Sequence, residues 1–266
     1  MRKLGLSLLW FLGALTLVSI SMLRTGIKRA ETIPERLETE SVLGLPAIET
    51  EIIIDSYNYN GTALKVVVLP DINESMLDLY SNLDDSKTSV EILASTRCSA
   101  LINGGFYTKE NTQPGLFISD SNELHGFISN RTYNGIFSIN TLGIPRITRR
   151  APVDPLVTAL QTGPLLIENG SIQNIEINND KLARRMVLAI TGSNEVVFLS
   201  IYNSQSAFSG PLLKDTPEII QAVSETLSLG IADAINLDGG SASALYTSDF
   251  SLPEASIIGS YFCINN

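Results

Sequence analysis

Two apolar stretches of the sequence each end in a polar residue and a pair of glycines: Asn103-Gly104-Gly105 and Asp238-Gly239-Gly240-Ser241. A carboxamide or carboxylate at a strand tip can act on a ligand. Paired glycines let the ligand approach the backbone, and their N–H groups can form an anion-binding nest. Either motif alone also reads as a tight turn, but two in one chain point to a shared site. Gln161-Thr162-Gly163-Pro164 breaks a third apolar stretch with a rigid bend at Gly163. Arg184-Arg185 stands directly before a fourth, where a guanidinium fork would suit a phosphate; its plainer reading is a solvated charged pair. The only histidine, His125, has Gly126 beside it and reads most simply as a surface-loop residue. His-based metal sites thus lack donors, and acid–base chemistry falls on carboxylates. No cofactor is assigned. A divalent cation shared between Asp238 and a phosphate is chemically open, but no residue pattern supports one.

The elements that must position these residues alternate strands with few helices. Residues 51–57 and 63–69 are β-rich and flank Asn60-Gly61, a type I′ turn signal, which predicts a hairpin. Residues 71–87 read as polar and turn-rich, 89–97 as a short helix and 99–102 as a buried strand. Short strands are expected at 115–119, 134–139, 158–162, 164–168, 186–191 and 196–201, with turns at Asn169-Gly170 and Gly192-Ser193-Asn194. The clearest helix covers 217–229, with Thr216 as N-cap, Pro217 at N1, Gly230 at C′, and a stripe of Ile219, Val223 and Leu227. Residues 234–237 then read as a buried strand running into Asp238, the way α/β scaffolds present functional groups. The expected fold is α+β: one domain of mixed, largely antiparallel sheet with a few packed helices, preceded by one transmembrane or signal helix.

That N-terminal helix comes from residues 4–23, which are uncharged and mostly apolar, long enough at 1.5 Å rise per residue to span roughly 30 Å of hydrocarbon. Arg2 and Lys3 precede it, as in a signal n-region. The reading divides the chain into a signal anchor or signal peptide at 1–23, a tether at 24–48 and the functional domain at 49–266, on the extracytoplasmic face or secreted. Residues 1–30 hold five basic residues and no acid, so the other 13 Lys and Arg face all 28 Asp and Glu, a balance of −15. Such a body disfavours a nucleic-acid partner. Cys98 and Cys263, the only cysteines, read equally as a disulfide permitted outside the cytoplasm or as two buried thiols.

In order along the chain, Ile102-Asn103-Gly104-Gly105-Phe106-Tyr107, Gly115-Leu116-Phe117-Ile118 and Asn134-Gly135-Ile136-Phe137 resemble the phosphodiester glycosidase family. So do Gln161 to Ile167 with Asn169-Gly170, Arg184-Arg185 before a strand, and Ala234 to Ser241. The resemblance covers about residues 95–250. Arg185-Met186 and Gly239-Gly240-Ser241 place the chain nearer the short exported bacterial branch than the branch with Arg-Thr and three glycines. The resemblance implies hydrolysis of a sugar-1-phosphate diester on cell-surface or extracellular glycans. Asp238 would serve as base, nucleophile or cation stabiliser, Arg185 (or Arg184) as phosphate clamp, and Asn103 with the Gly104, Gly105, Gly239 and Gly240 amides as oxygen ligands. Gly163, Asn236, Ser241 and Ser243 complete the expected substrate contacts. Two rivals stand beside this reading. One is a non-catalytic module binding glycans or polyol phosphates; the other is an ordinary glycoside hydrolase, which needs a second acid such as Asp233, Glu168 or Glu176.

Overall fold

The computed structural model describes residues 52–265. The expected anchor at 1–23 and the tether at 24–48 lie outside the described residues, as do the first residues of the domain. Among the described residues no helix is long and apolar enough to cross a membrane.

The body opens with the expected hairpin. Strands β1 (Ile52–Tyr59) and β2 (Thr62–Ile72) pair through a turn in which Asn60 and Gly61 both have positive φ, 48° and 80°. They begin a seven-stranded sheet with β13 (Val196–Asn203), β12 (Arg185–Thr191), β14 (Ile231–Asn236), β10 (Leu165–Glu168) and β11 (Ser171–Ile172), in that spatial order. A second sheet runs β16 (Ser251–Leu252), β15 (Leu245–Tyr246), β4 (Ala100–Asn103), β17 (Ser260–Ile264) and β3 (Leu77–Ser81). A third runs β6 (Asn122–His125), β5 (Phe117–Ser119), β9 (Leu156–Thr162), β7 (Gly135–Asn140) and β8 (Pro145–Thr148). Every strand pair in the three sheets is antiparallel.

One face of each sheet turns into a common apolar core. Val67, Met186, Leu188, Phe198 and Ile235 come from the first sheet, Ile102, Leu245 and Phe262 from the second, and Phe117, Phe137 and Leu160 from the third. The opposite face of the first sheet carries Val66, Val187, Ala189 and Leu199, which alternate with the core residues along β2, β12 and β13, and is covered by helix α2 (Thr216–Leu227) through Ile219, Ile220 and Val223. This period-two split is why β12 and β13 read as continuous apolar runs: both faces are buried.

Four expectations are corrected. β14 lies antiparallel between β12 and β10, so Asp238 does not sit at the end of a parallel α/β strand. Thr216 is the first residue of α2 rather than its cap; a 3-10 turn, Leu213–Asp215, runs directly into the helix and leaves Asp215 at the cap. The left-handed residue that ends α2 is Ser228, at φ 56°. Residues 71–87 contain β3, whose Leu77 and Leu79 alternate inward between exposed neighbours. The short helix is present as α1 (Ser89–Ser95), fastened by a reciprocal capping box of Thr88 and Glu91. Cys98 and Cys263 form a disulfide with Cα atoms 5.2 Å apart, resolving the open cysteine question.

Candidate active site

The ends of β14, β12, β4 and β9 converge, so that all three sheets fix Asp238. Leu237 N–H donates to Met186 O at 2.8 Å, Asp238 N–H to Gly104 O at 3.1 Å, and Gly240 N–H to Arg184 O at 2.9 Å. Thr162 Oγ1 donates to Asn236 O at 2.9 Å, and Asn236 Nδ2 to Gly163 O at 3.1 Å. Gly239 answers a specific need here: a Cβ on it would stand 2.5 Å from Arg184 O, too close for any side chain.

Asn103 locks the two Gly-Gly tips together. Its Nδ2 donates to Gly104 O at 3.0 Å and to Asp238 O at 2.8 Å, while its Oδ1 accepts from Ala244 N–H at 3.0 Å. The residue is 1% exposed, so this carboxamide is a brace facing backbone, not a ligand-facing group as the sequence suggested. The amides divide likewise. Gly104 N–H is spent on Ser260 O, Gly240 N–H on Arg184 O, and Gly239 N–H on Asp238 Oδ1 at 2.9 Å. Among the described residues Gly105 N–H alone of the four has no protein acceptor.

Asp238 is partly buried, and among the described residues that Gly239 N–H is the one hydrogen bond to its carboxylate. Burial pushes its carboxyl up to about 7, partly countered by the Gly239 bond. Desolvation penalises the charged form and no cation is close enough to offset it. Tyr107 and Tyr133 stand beside it: both phenols are held above their ordinary value, first by burial and then by the charge of Asp238. Tyr107 is anchored by its hydroxyl to Ile257 O at 2.9 Å, and Tyr133 packs on Phe106 with centroids 5.5 Å apart. Gln161, expected as part of a bend, staples the Tyr133 loop: Nε2 donates to Tyr133 O at 2.9 Å and Ile128 O at 2.6 Å, and Oε1 accepts from Leu116 and Ile128 N–H. Tyr107 lies inside one of the sequence motifs without a role of its own there, and the local signal for Tyr133 is its position directly before Asn134-Gly135.

The arginine pair splits across β12. Arg184 points inward and is fully buried. Its Nε donates to Ser243 Oγ at 2.7 Å, its Nη2 to Ser243 O, to Pro253 O at 3.0 Å and to Gly240 O at 3.4 Å, and it lies 4.9 Å from the Phe208 ring. Burial lowers it to about 10. Arg185 points to the other face, where Nε donates to Pro211 O at 3.0 Å and Nη2 to Lys181 O and to Asp180 at 3.3 Å. Neither guanidinium contributes to the titration of Asp238. The structure therefore brings neither side chain to the acid as a clamp: alternation along the strand sends Arg185 away, and Arg184 spends Nε and Nη2 on the turn at 240–243 and on Pro253 O, leaving its buried Nη1 without a partner among the described residues. Ser243 is buried as its partner, whereas Ser241 is exposed. None of the three acids considered as a second carboxylate joins Asp238. Asp233 accepts from Asn169 N–H five residues back along the chain, Glu168 is paired with Arg149, and Glu176 lines a cavity whose wall does not include Asp238. Among the described residues no three His, Cys, Asp or Glu side chains gather around one point.

Chemically, a carboxyl poised near neutrality can take or give a proton, and aromatic walls suit the apolar face of a sugar ring. The phosphodiester glycosidase family model matches residues 96–262. No curated protein sequence matches the chain. Among solved structures, the catalytic domain of zebrafish N-acetylglucosamine-1-phosphodiester alpha-N-acetylglucosaminidase, auto-inhibited by its pro-peptide, superimposes with a TM-score of 0.60 at 15% identity, covering 82% of each chain. A Synechocystis protein gives 0.61 at 14% identity over 80% of this chain and 61% of its own. A protein described as exported, from Burkholderia pseudomallei, gives 0.52 at 11% identity over 77% and 75%.

Proposed function

The chain belongs to the phosphodiester glycosidase family, and on that premise we propose that it hydrolyses a sugar-1-phosphate diester with Asp238 as the acting carboxylate. The observation that carries this reading is the Asp238 carboxyl itself, poised near pH 7 between Tyr107 and Tyr133 at the meeting point of three sheets. In its ionised form it activates water or stabilises the developing sugar cation. Phosphate leaves readily without a strong general acid, so a site with one carboxylate suffices where an ordinary glycoside would need two. Asn103 and Arg184 hold the Asp238 loop in place, and the Gly105 amide and exposed Ser241 hydroxyl offer contacts to substrate oxygens. No cofactor enters this scheme. The apolar run at 4–23, the Cys98–Cys263 disulfide and the likeness to a protein described as exported support action outside the cytoplasm, on a domain at 49–266 tethered through 24–48.

A methyl diester of a sugar-1-phosphate, with release of reducing sugar as the readout, tests the proposal. Turnover by the wild type and its loss in Asp238→Asn are the expected results. Binding of the diester without turnover by the wild type would sink the hydrolase reading and leave a glycan-binding module.

A further inference from the structure

On the Tyr133 side of the site the surface opens into two adjacent cavities with shared walls. One of about 150 Å³ includes Tyr133, Asn134 and Arg149. The next, about 330 Å³, shares Asn134 and Arg149 and adds Arg131, Pro164 and Glu176. Asp238 lines neither, and their tie to it runs through neighbouring residues: Tyr133 feels the Asp238 charge, and Pro164 O accepts from Asn236 N–H, two residues before Asp238. Arg149 is held as a fixed wall, its Nε and Nη2 bonded to Glu168 and Nη2 also to Gln173 at 2.8 Å. Arg131 is exposed and has no acidic partner among the described residues, in a body otherwise rich in acid. The lining combines one free guanidinium with the carboxamides of Asn134, Gln173 and Asn174 and the acid Glu176. Carboxamides and a carboxylate suit sugar hydroxyls, and a free guanidinium suits a phosphate. The larger cavity lies in the size range of small-ligand sites.

We propose that this pair of cavities is a subsite for the neighbouring sugar-phosphate unit of a polymer, Arg131 taking its phosphodiester, so that the substrate is a repeating phosphodiester-linked glycan and not an isolated diester. This rests on the hydrolase reading of Asp238.

The test compares two substrates: a tetramer of hexoses joined through 1-phosphodiesters, and the single-unit methyl diester. The expected result is a wild-type kcat/KM higher on the tetramer, with that preference falling about tenfold in Arg131→Glu through KM. A preference that Arg131→Glu leaves intact overturns the subsite, as does a wild type with no preference. Calorimetric binding of the tetramer to Asp238→Asn, with and without Arg131→Glu, separates the two ideas. If neither diester is turned over, the hydrolase reading fails, while a tenfold loss of tetramer binding on adding Arg131→Glu still upholds the subsite. Equal binding overturns it.

Discussion

Strands β4 and β14 end in the same way in sequence, a polar residue and two glycines, and their tips lie against each other with Asp238 N–H on Gly104 O. At the first tip every atom of the Asn103 head group is committed to backbone. At the second, the Asp238 carboxylate keeps a single bond, from its own neighbour Gly239, in surroundings that resist its charge. One tip is made of satisfied hydrogen bonds and contributes rigidity. The other carries an unmatched ionisable group and contributes chemistry, and its poise depends on the rigidity of the first. Similar motifs thus divide into a brace and an acting group according to how many of their polar atoms the protein itself consumes.

The largest effect should come from the acting tip. Asp238→Asn keeps the shape and the Gly239 contact but removes the charge, so kcat on a sugar-1-phosphate diester should fall by about 10³ or more, with unchanged circular dichroism. Activity within a few-fold of wild type would remove Asp238 from the chemistry and erase the distinction between the tips. The mirror experiment is Asn103→Ala. It leaves Ala244 N–H and the Asp238 carbonyl short of partners inside the protein, an expected loss of about 2–3 kcal/mol read from urea midpoints. A fall in kcat should accompany it because the Asp238 loop loosens. Full stability in Asn103→Ala would show that the brace is dispensable.

A smaller contrast separates the adjacent arginines. Arg184→Met strips the turn at 240–243 of its bonds to Ser243 and Pro253 and should lower kcat more than KM, since the residue positions and does not touch substrate. Arg185→Ala breaks a largely buried pair with Asp180 and should cost about 3 kcal/mol of stability with kinetics near wild type. If Arg185→Ala instead raised KM strongly, the phosphate clamp expected from the sequence would return.

Strand content, the opening hairpin and the four converging segments were legible in the sequence because each carries a local signal: positive-φ residues at Asn60-Gly61, apolar runs, and Gly-rich breaks at 104, 163 and 239. What local signals lack is facing direction. Nothing in Arg184-Arg185 states which side chain enters the interior; that follows from the register of β12 against β13 and β14. Nor could the sequence show that Asn103 would be consumed by Asp238 O and Ala244 N–H, contacts across more than 130 residues. β3 went unread because its two inward leucines are separated and flanked by acids and turns, too short an alternation to outweigh its composition.

The finest test of the comparison is the pH dependence of stability. The Asp238 carboxyl is raised from 3.8 to about 7 in the folded protein. Between those values the native state therefore holds a proton that the unfolded chain has released, and stability falls as pH rises through that window. Asp238→Asn cannot ionise and escapes this fall. Its urea midpoint should match that of the wild type near pH 4 and exceed it progressively up to about pH 8. The gap there should be of order 1–2 kcal/mol, reduced from the full linkage because the carboxyl is not wholly withdrawn from solvent. Asn103→Ala, carrying no titrating group, should lose the same stability at every pH. The activity of the wild type should rise with pH through about 7, as the acting ionised form of Asp238 accumulates, and a fall over that range would show that the protonated form acts instead. A gap between Asp238→Asn and wild type that stayed constant from pH 4 to 8 would mean that the carboxyl titrates normally, and that the two tips differ in hydrogen bonding alone.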